Sequence, residues 1–226
     1  MELFFPAKSR AGSGGPRRRA QGFTLIELLI VVAIMAMLGG LATPALMKSY
    51  RSSSLTQAGN RLTDVAMLAR QNALSRNTMT AVVMVTSTSA QLAGISHDAL
   101  TVIELSPSQG GWNQITGWTF LPSQAKAYAN LAALSPADLP LPVGGTLPVL
   151  RLPSNAGAPV TLAETDYVCY VFNPDGTMYN VSSPLPQAYV QYASDQAPSG
   201  GVQAANLHNY YDLVFSDAGG INIVRP

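Results

Sequence analysis

The 226-residue chain has one cysteine, two histidines and two tryptophans, and only 11% of its residues are charged. Each scarcity closes off a class of function. Cys169 has no second thiol, so no disulfide forms within the chain. It lies between Val168 and Tyr170 in an apolar stretch, and the expectation is a buried, inert thiol. His97 and His208 stand in polar contexts with no matching ligand cluster, which makes them surface histidines and argues against Ser-His-Asp or Cys-His catalysis. Glu164, Asp166 and Asp175 lack the spacing of a calcium loop, so they read as solvated turn carboxylates. The glycines from Gly12 to Gly15 follow no strand and precede no Gly-Lys-Ser/Thr, so they are not a phosphate loop. No catalytic residue, metal site or cofactor is expected. An enzyme would need a converging acid, base or metal cluster, and the sequence offers none.

A basic surface is also lacking. The formal charge is +1, but residues 1–22 hold five of the 13 basic residues and one of the 12 acidic ones, leaving the rest at −3. That balance gives no support for nucleic-acid binding.

What the chain does have is a run of twenty mostly apolar residues, Phe23 to Ala42, behind a basic leader with Lys8, Arg10, Arg17, Arg18 and Arg19. As a helix it would be roughly 30 Å long, the thickness of a bilayer's hydrocarbon core. The basic flank keeps the N-terminus cytoplasmic and puts the rest of the chain on the far side of the inner membrane. One carboxylate, Glu27, interrupts the run. Three readings compete: a cleaved signal peptide, with Gly40-Leu41-Ala42 as the small-residue site; a plain anchor; and a leader cut ahead of the apolar run. An acidic residue within a membrane helix costs about 2.5–3.5 kcal/mol at the centre, less near the interface. The first two readings gain nothing from that cost. Glu27 favours the third, in which it awaits a positive partner on another subunit.

Gly22-Phe23-Thr24-Leu25-Ile26-Glu27-Leu28-Leu29 resembles the processing signal of type IV pilins and type II secretion pseudopilins. The resemblance implies that a prepilin peptidase cuts after Gly22 and methylates the new amino terminus at Phe23. It implies that Glu27 pairs with the terminal amine of a neighbouring subunit, that Arg17, Arg18 and Arg19 orient the leader, and that Pro44 is a helix-kinking proline. The partners implied are the peptidase, other pilin-like subunits and an inner-membrane assembly platform. Major pilins often close a C-terminal loop with a disulfide, which a lone Cys169 cannot do, so the resemblance leans to a minor pilin or pseudopilin. Subunits of this kind are stored in the inner membrane with a periplasmic head, then enter a periplasmic pseudopilus or a surface pilus.

Beyond Pro44, Leu55, Ala58, Leu62, Val65, Ala66, Ala69 and Ala73 recur every three or four residues with Arg61, Asp64, Arg70 and Arg76 between them. This periodicity predicts an amphipathic helix to about Arg76, with Gly39, Gly40 and Pro44 as weak points. Strands are predicted over 78–86, 100–105, 118–121, 168–172, 177–181, 213–215 and 221–224. Asn173-Pro174-Asp175-Gly176 and Ser216-Asp217-Ala218-Gly219-Gly220 are the turn signals between the last two pairs. Residues 134–159, rich in Pro and Gly, read as a long irregular connection. Tyr189, Tyr192, Tyr210 and Tyr211 are assigned to ordinary packing rather than to a contact surface. The expected fold class is α+β: a long N-terminal helix, membrane half then amphipathic half, packed on a C-terminal antiparallel β head. The expected division is a leader at 1–22, an assembly half at 23–43, an amphipathic half at 44–77 and a head at 78–226. The Phe-x-Pro-x-Gly turn followed by a Gly-turned terminal hairpin resembles the head of H-type pseudopilins and FimT/FimU-like minor pilins. The alternatives are a minor pilin for adhesion or DNA uptake and, outside the class, a single-pass membrane-anchored binding module.

Overall fold

A computed structural model of the chain describes residues 23–87, 98–106, 110–122, 124–130, 133–153, 159–181, 184–192 and 210–225, with the backbone alone described at 41–46 and 48. The leader, His97 and His208 lie outside the described residues. The chain divides into two compact units, Met1–Leu46 and Met47–Pro226. One helix, α1 (Leu25–Arg76), runs through the boundary, with the backbone helical at Gly39, Gly40 and Pro44.

In the first unit the helix is apolar all round. Phe23, Leu25, Ile26, Leu28, Leu29 and Leu38 are each at least 60% exposed. A helix hydrophobic on every face belongs in a core or a membrane, not in water. From Leu25 to Gly40 it is roughly 24 Å long at 1.5 Å per residue. Among the described residues no helix is long and apolar enough to cross a membrane.

In the second unit one face of α1 is built from small residues. Ala58, Ala66, Ala69 and Ala73 are fully buried beside Leu55 and Leu62, and a side chain at Gly59 would overlap the Tyr211 ring. Small residues let the helix lie close on the sheets. It ends as a Schellman turn: Asn77 takes a left-handed φ of 51°, and the Thr78 amide donates to the Ala73 carbonyl at 3.3 Å.

The helix packs on two antiparallel sheets. The first runs β3 (Gly111–Gln114), β2 (Ala99–Ser106), β1 (Thr80–Val85), β8 (Tyr167–Phe172), with β4 (Thr119–Phe120) also on β2. The second runs β11 (Ile221–Val224), β10 (Tyr210–Phe215), β9 (Gln187–Tyr192), β5 (Ala125–Ala129). A short pair, β6 (Arg151–Leu152) and β7 (Val160–Thr161), lies in the long connection. The fold is α+β, with the N-terminal helix packed against antiparallel sheets.

Two apolar clusters sit on opposite faces of β1 and β8. Val82, Met84, Tyr170 and Phe172 join Leu62, Ala69, Leu213 and Phe215. Ala81, Val83, Cys169 and Val171 face Leu139, Leu150, Leu152 and Leu162. Burial on both faces is why these strands read as unbroken apolar runs. The 134–159 connection thus has a packing role its composition did not disclose: its leucines roof the second cluster. Two indole N–H groups tie it down, Trp112 to the Pro140 carbonyl (2.9 Å) and Trp118 to the Arg151 carbonyl (2.8 Å).

The expected strand over 177–181 is corrected. Met178 forms one bridge with Phe172, and the Tyr179 amide reaches Val171. The Met178 amide is spent on the Asp217 carbonyl, and Asn180 adopts a φ of 50°, so the chain turns away. The turn before this segment meets the turn of the terminal hairpin instead. Arg70 Nε donates to the Gly176 carbonyl at 3.0 Å and its Nη2 to the Ala218 carbonyl at 3.2 Å. A helix side chain therefore binds both turns at once.

A buried ion pair, Lys126 with Asp98, joins β5 to the start of β2. Loss of solvent pushes the Asp98 carboxyl up to about 6 despite the lysine. A raised folded pKa means that the ionised form weakens folding. Stability from this group is full below the unfolded pKa near 3.8 and is lost as pH rises to about 6. Chemical denaturation should show stability falling by about 1–2 kcal/mol more between pH 4 and pH 7 in the native chain than in Asp98→Asn, after allowance for solvent screening.

Candidate functional site

The site begins where α1 begins. Thr24 precedes the first helical residue and Glu27 lies in the first turn, the positions of an N-cap and its third successor. The Thr24 amide and hydroxyl both donate to Glu27 Oε2 at 2.9 Å. The Glu27 amide donates back to Thr24 Oγ1 at 3.3 Å, and the Leu28 amide closes the first turn on the Thr24 carbonyl at 3.2 Å. This is a capping box. The sequence reading overlooked it, although Thr-x-x-Glu ahead of an apolar run is its signature. Glu27 therefore has a local role: it serves amide groups that the helix start leaves without partners. Thr24 and Glu27 are both exposed, and Phe23 ahead of them is 85% exposed. Only Oε2 of the carboxylate is engaged among the described residues.

Of the other expected site residues, Gly22, Arg17, Arg18 and Arg19 lie outside the described residues. Pro44 falls within α1, where the backbone alone is described. The structure thus places Glu27 on the first turn of α1 and Phe23 two residues ahead of the helix, and leaves the leader's contribution to the sequence.

The remaining candidates are accounted for by structure. Cys169 is fully buried, and burial raises its thiol pKa far above the usual range. Such a thiol is a poor nucleophile. Asp166 accepts the Ala163 amide at 2.8 Å, and Asp175 accepts the Thr177 amide at 2.9 Å and hydroxyl at 2.6 Å. Both carboxylates serve their own turns. Among the described residues no group of three or more His, Cys, Asp or Glu is placed to hold a metal ion. The tyrosines pack: Tyr189 stacks on Tyr128 at 5.6 Å, Arg51 lies 4.9 Å above the Tyr192 ring, and Tyr211 is buried with its hydroxyl 3.3 Å from Asn60. Tyr210 is half-buried at the start of β10.

The comparisons bear on the same segment. Residues 17–43 match the model of the prokaryotic N-terminal methylation motif. No curated protein matches the chain. Among solved structures, the chain is similar to the minor pseudopilin EpsH from the type II secretion system of Vibrio cholerae, at 12% identity and a TM-score of 0.42, over 77% of this chain and 96% of that one. What the match establishes is the motif itself: residues 17–43, which include Phe23, Glu27 and the start of the apolar helix, carry a prokaryotic N-terminal methylation motif.

Proposed function

We propose that the protein is a structural subunit, a minor pilin or pseudopilin, that is processed at its N-terminus and built into a type IV pilus or a type II secretion pseudopilus. One observation carries this reading: an apolar helix exposed on every side starts within a matched methylation motif and bears a carboxylate in its first turn. Such a helix needs lipid before assembly and neighbouring subunits after it.

In this reading the leader's Arg17, Arg18 and Arg19 hold the N-terminus in the cytoplasm, and residues 23–43 anchor the chain in the inner membrane with the head in the periplasm. Cleavage between Gly22 and Phe23 creates an α-amino group with an ordinary pKa near 8, largely cationic at neutral pH. In a packed apolar bundle that charge attracts Glu27 of a neighbouring copy far more strongly than in water. Pro44 is the position at which the helix would kink. Prepilin peptidase, an inner-membrane platform and other subunits are the partners this requires.

Processing is the first test. Co-expressed with a prepilin peptidase, the native chain should shorten by its leader on a denaturing gel, and Gly22→Val should remain full length. If Gly22→Val is cut as fully as the native chain, the processing site is elsewhere and the reading fails.

A further inference from the structure

Between Glu27 and Asp64 the chain has no acidic residue, and Lys48 and Arg51 follow close behind the apolar run that ends at Ala42. Basic residues near a span are ordinarily kept on its cytoplasmic side. In the orientation proposed above this pair lies on the far side, which calls for a cause. The second unit brings a further cation to Arg51. Strands β9 and β11 are each antiparallel to β10, so they run in the same direction and finish at one end of their sheet. Tyr192 closes β9, and the Arg51 guanidinium lies 4.9 Å above the centre of its ring. Arg225 comes directly after β11 and donates from Nη1 to Thr56 Oγ1 at 2.9 Å and from Nη2 to Ser52 Oγ at 3.0 Å. Two arginines from distant parts of the chain are thus held at adjoining positions of α1.

Both arginines are exposed, and among the described residues neither meets a carboxylate. A guanidinium has five N–H donors. Stacking occupies a face of Arg51 and spends none of them, and the two hydroxyl contacts spend two on Arg225. The remaining N–H groups suit phosphate oxygens, which arginine grips as a fork. Tyr50, 62% exposed beside Arg51, is a residue type favoured where lipid meets water. We propose that Arg51 and Arg225 form a phosphate-binding collar that holds the anionic phospholipid headgroups around the anchored subunit. The proposal rests on the membrane-anchored stage of the reading above and adds the lipid as a partner. Lipid is favoured over an acidic neighbour or a nucleic acid because Arg51 lies only nine residues past the apolar run, where headgroups are already at hand.

The test uses the full-length chain in a neutral detergent, with native mass spectrometry comparing bound phosphatidylglycerol and phosphatidylcholine of the same acyl chains. The apolar helix meets identical acyl chains in both, so the ratio reports the headgroup. The native chain should prefer phosphatidylglycerol by about twenty-fold. Arg51→Gln and Arg225→Gln should each lose about five-fold of that preference, the scale of one basic side chain at an anionic surface, and the double variant nearly all of it. Arg51→Gln leaves the hydroxyl contacts of Arg225 in place, so it alone carries the test should Arg225→Gln fold poorly. Arg151→Gln, which removes an exposed arginine in β6, should stay within about two-fold of the native chain. If it loses as much as Arg51→Gln, net charge rather than the collar is responsible and the proposal fails. Equal retention of both lipids by the native chain would also overturn it, while a methylated Phe23 on the mature chain would leave the processing reading standing. An Arg51→Gln chain that keeps the preference yet drops out of filaments would assign the arginine to an acidic neighbour instead.

Discussion

Gly219→Ala should destabilise the C-terminal unit by more than about 4 kcal/mol, while Gly144→Ala should cost only about 1–2 kcal/mol. Both glycines have left-handed backbones, with φ of 72° and 75°, so the intrinsic strain of adding a side chain is the same. Their surroundings differ. A Cβ at Gly144 meets nothing within 4 Å, whereas one at Gly219 would overlap the Gly176 carbonyl and lie 3.0 Å from Arg70 Nε. The obstacle is backbone, so no rotamer change relieves it. Making room would push the two turns apart, and Arg70 would lose one or both of its carbonyl acceptors. Strain, overlap and two broken hydrogen bonds together exceed about 4 kcal/mol, a large part of a domain's net stability of about 5–15 kcal/mol. Gly176, with φ of 79°, should fall between the two, because its added Cβ meets the flexible Leu74 side chain at 3.0 Å. Urea unfolding followed by fluorescence of Trp112 and Trp118 gives the ranking. Equal losses at 144 and 219 would contradict the interlocked turns.

Glu27→Ala should be inserted and processed like the native chain yet fall more than a hundred-fold in filament incorporation. Removing one partner of a buried charged pair costs about 3–5 kcal/mol, because the other charge is left without compensation. In the proposed assembly that charge is the neighbour's terminal amine. The capping box complicates the comparison, since alanine also removes the acceptor for the Thr24 amide and hydroxyl. Glu27→Gln resolves it. Glutamine keeps a side-chain carbonyl for those donors but has no charge for the amine, so it should cap the helix and still fail to assemble. Near-native incorporation of Glu27→Gln would reduce Glu27 to a helix cap.

How much of this was legible in the sequence varied with the physics of each element. Strands β1 and β8 are buried on both faces, so Ala81, Val82, Val83, Val171 and Phe172 stand out as apolar runs. The end of α1 near Arg76 showed in its three-and-four spacing. The terminal hairpin showed in its glycines, because its turn needs the left-handed Gly219. Strands β5 and β9 escaped notice because Ala-Lys-Ala-Tyr-Ala and Gln-Ala-Tyr-Val-Gln-Tyr have modest strand preference. Their pairing, Ala127 with Val190 and Tyr128 with Tyr189, comes from the tertiary fold. The strand over 177–181 failed for the converse reason: its composition suits a sheet, but the Met178 amide is taken by Asp217. At the site, the order Gly-Phe-Thr-Leu-Ile-Glu was enough to single out Phe23 and Glu27. Thr24 was harder to see, because a threonine ahead of a helix is common whereas a carboxylate within an apolar run stands out. Arg70 gave no signal, since an arginine between apolar helix positions looks like any solvated residue. Only the fold brings two turn carbonyls to it.

Mass spectrometry of the mature N-terminus tests the central claim most directly. A chain beginning at Phe23 and carrying one extra methyl group is the predicted result. A terminus near Thr43, or a leader still attached in cells that hold an active prepilin peptidase, would contradict it.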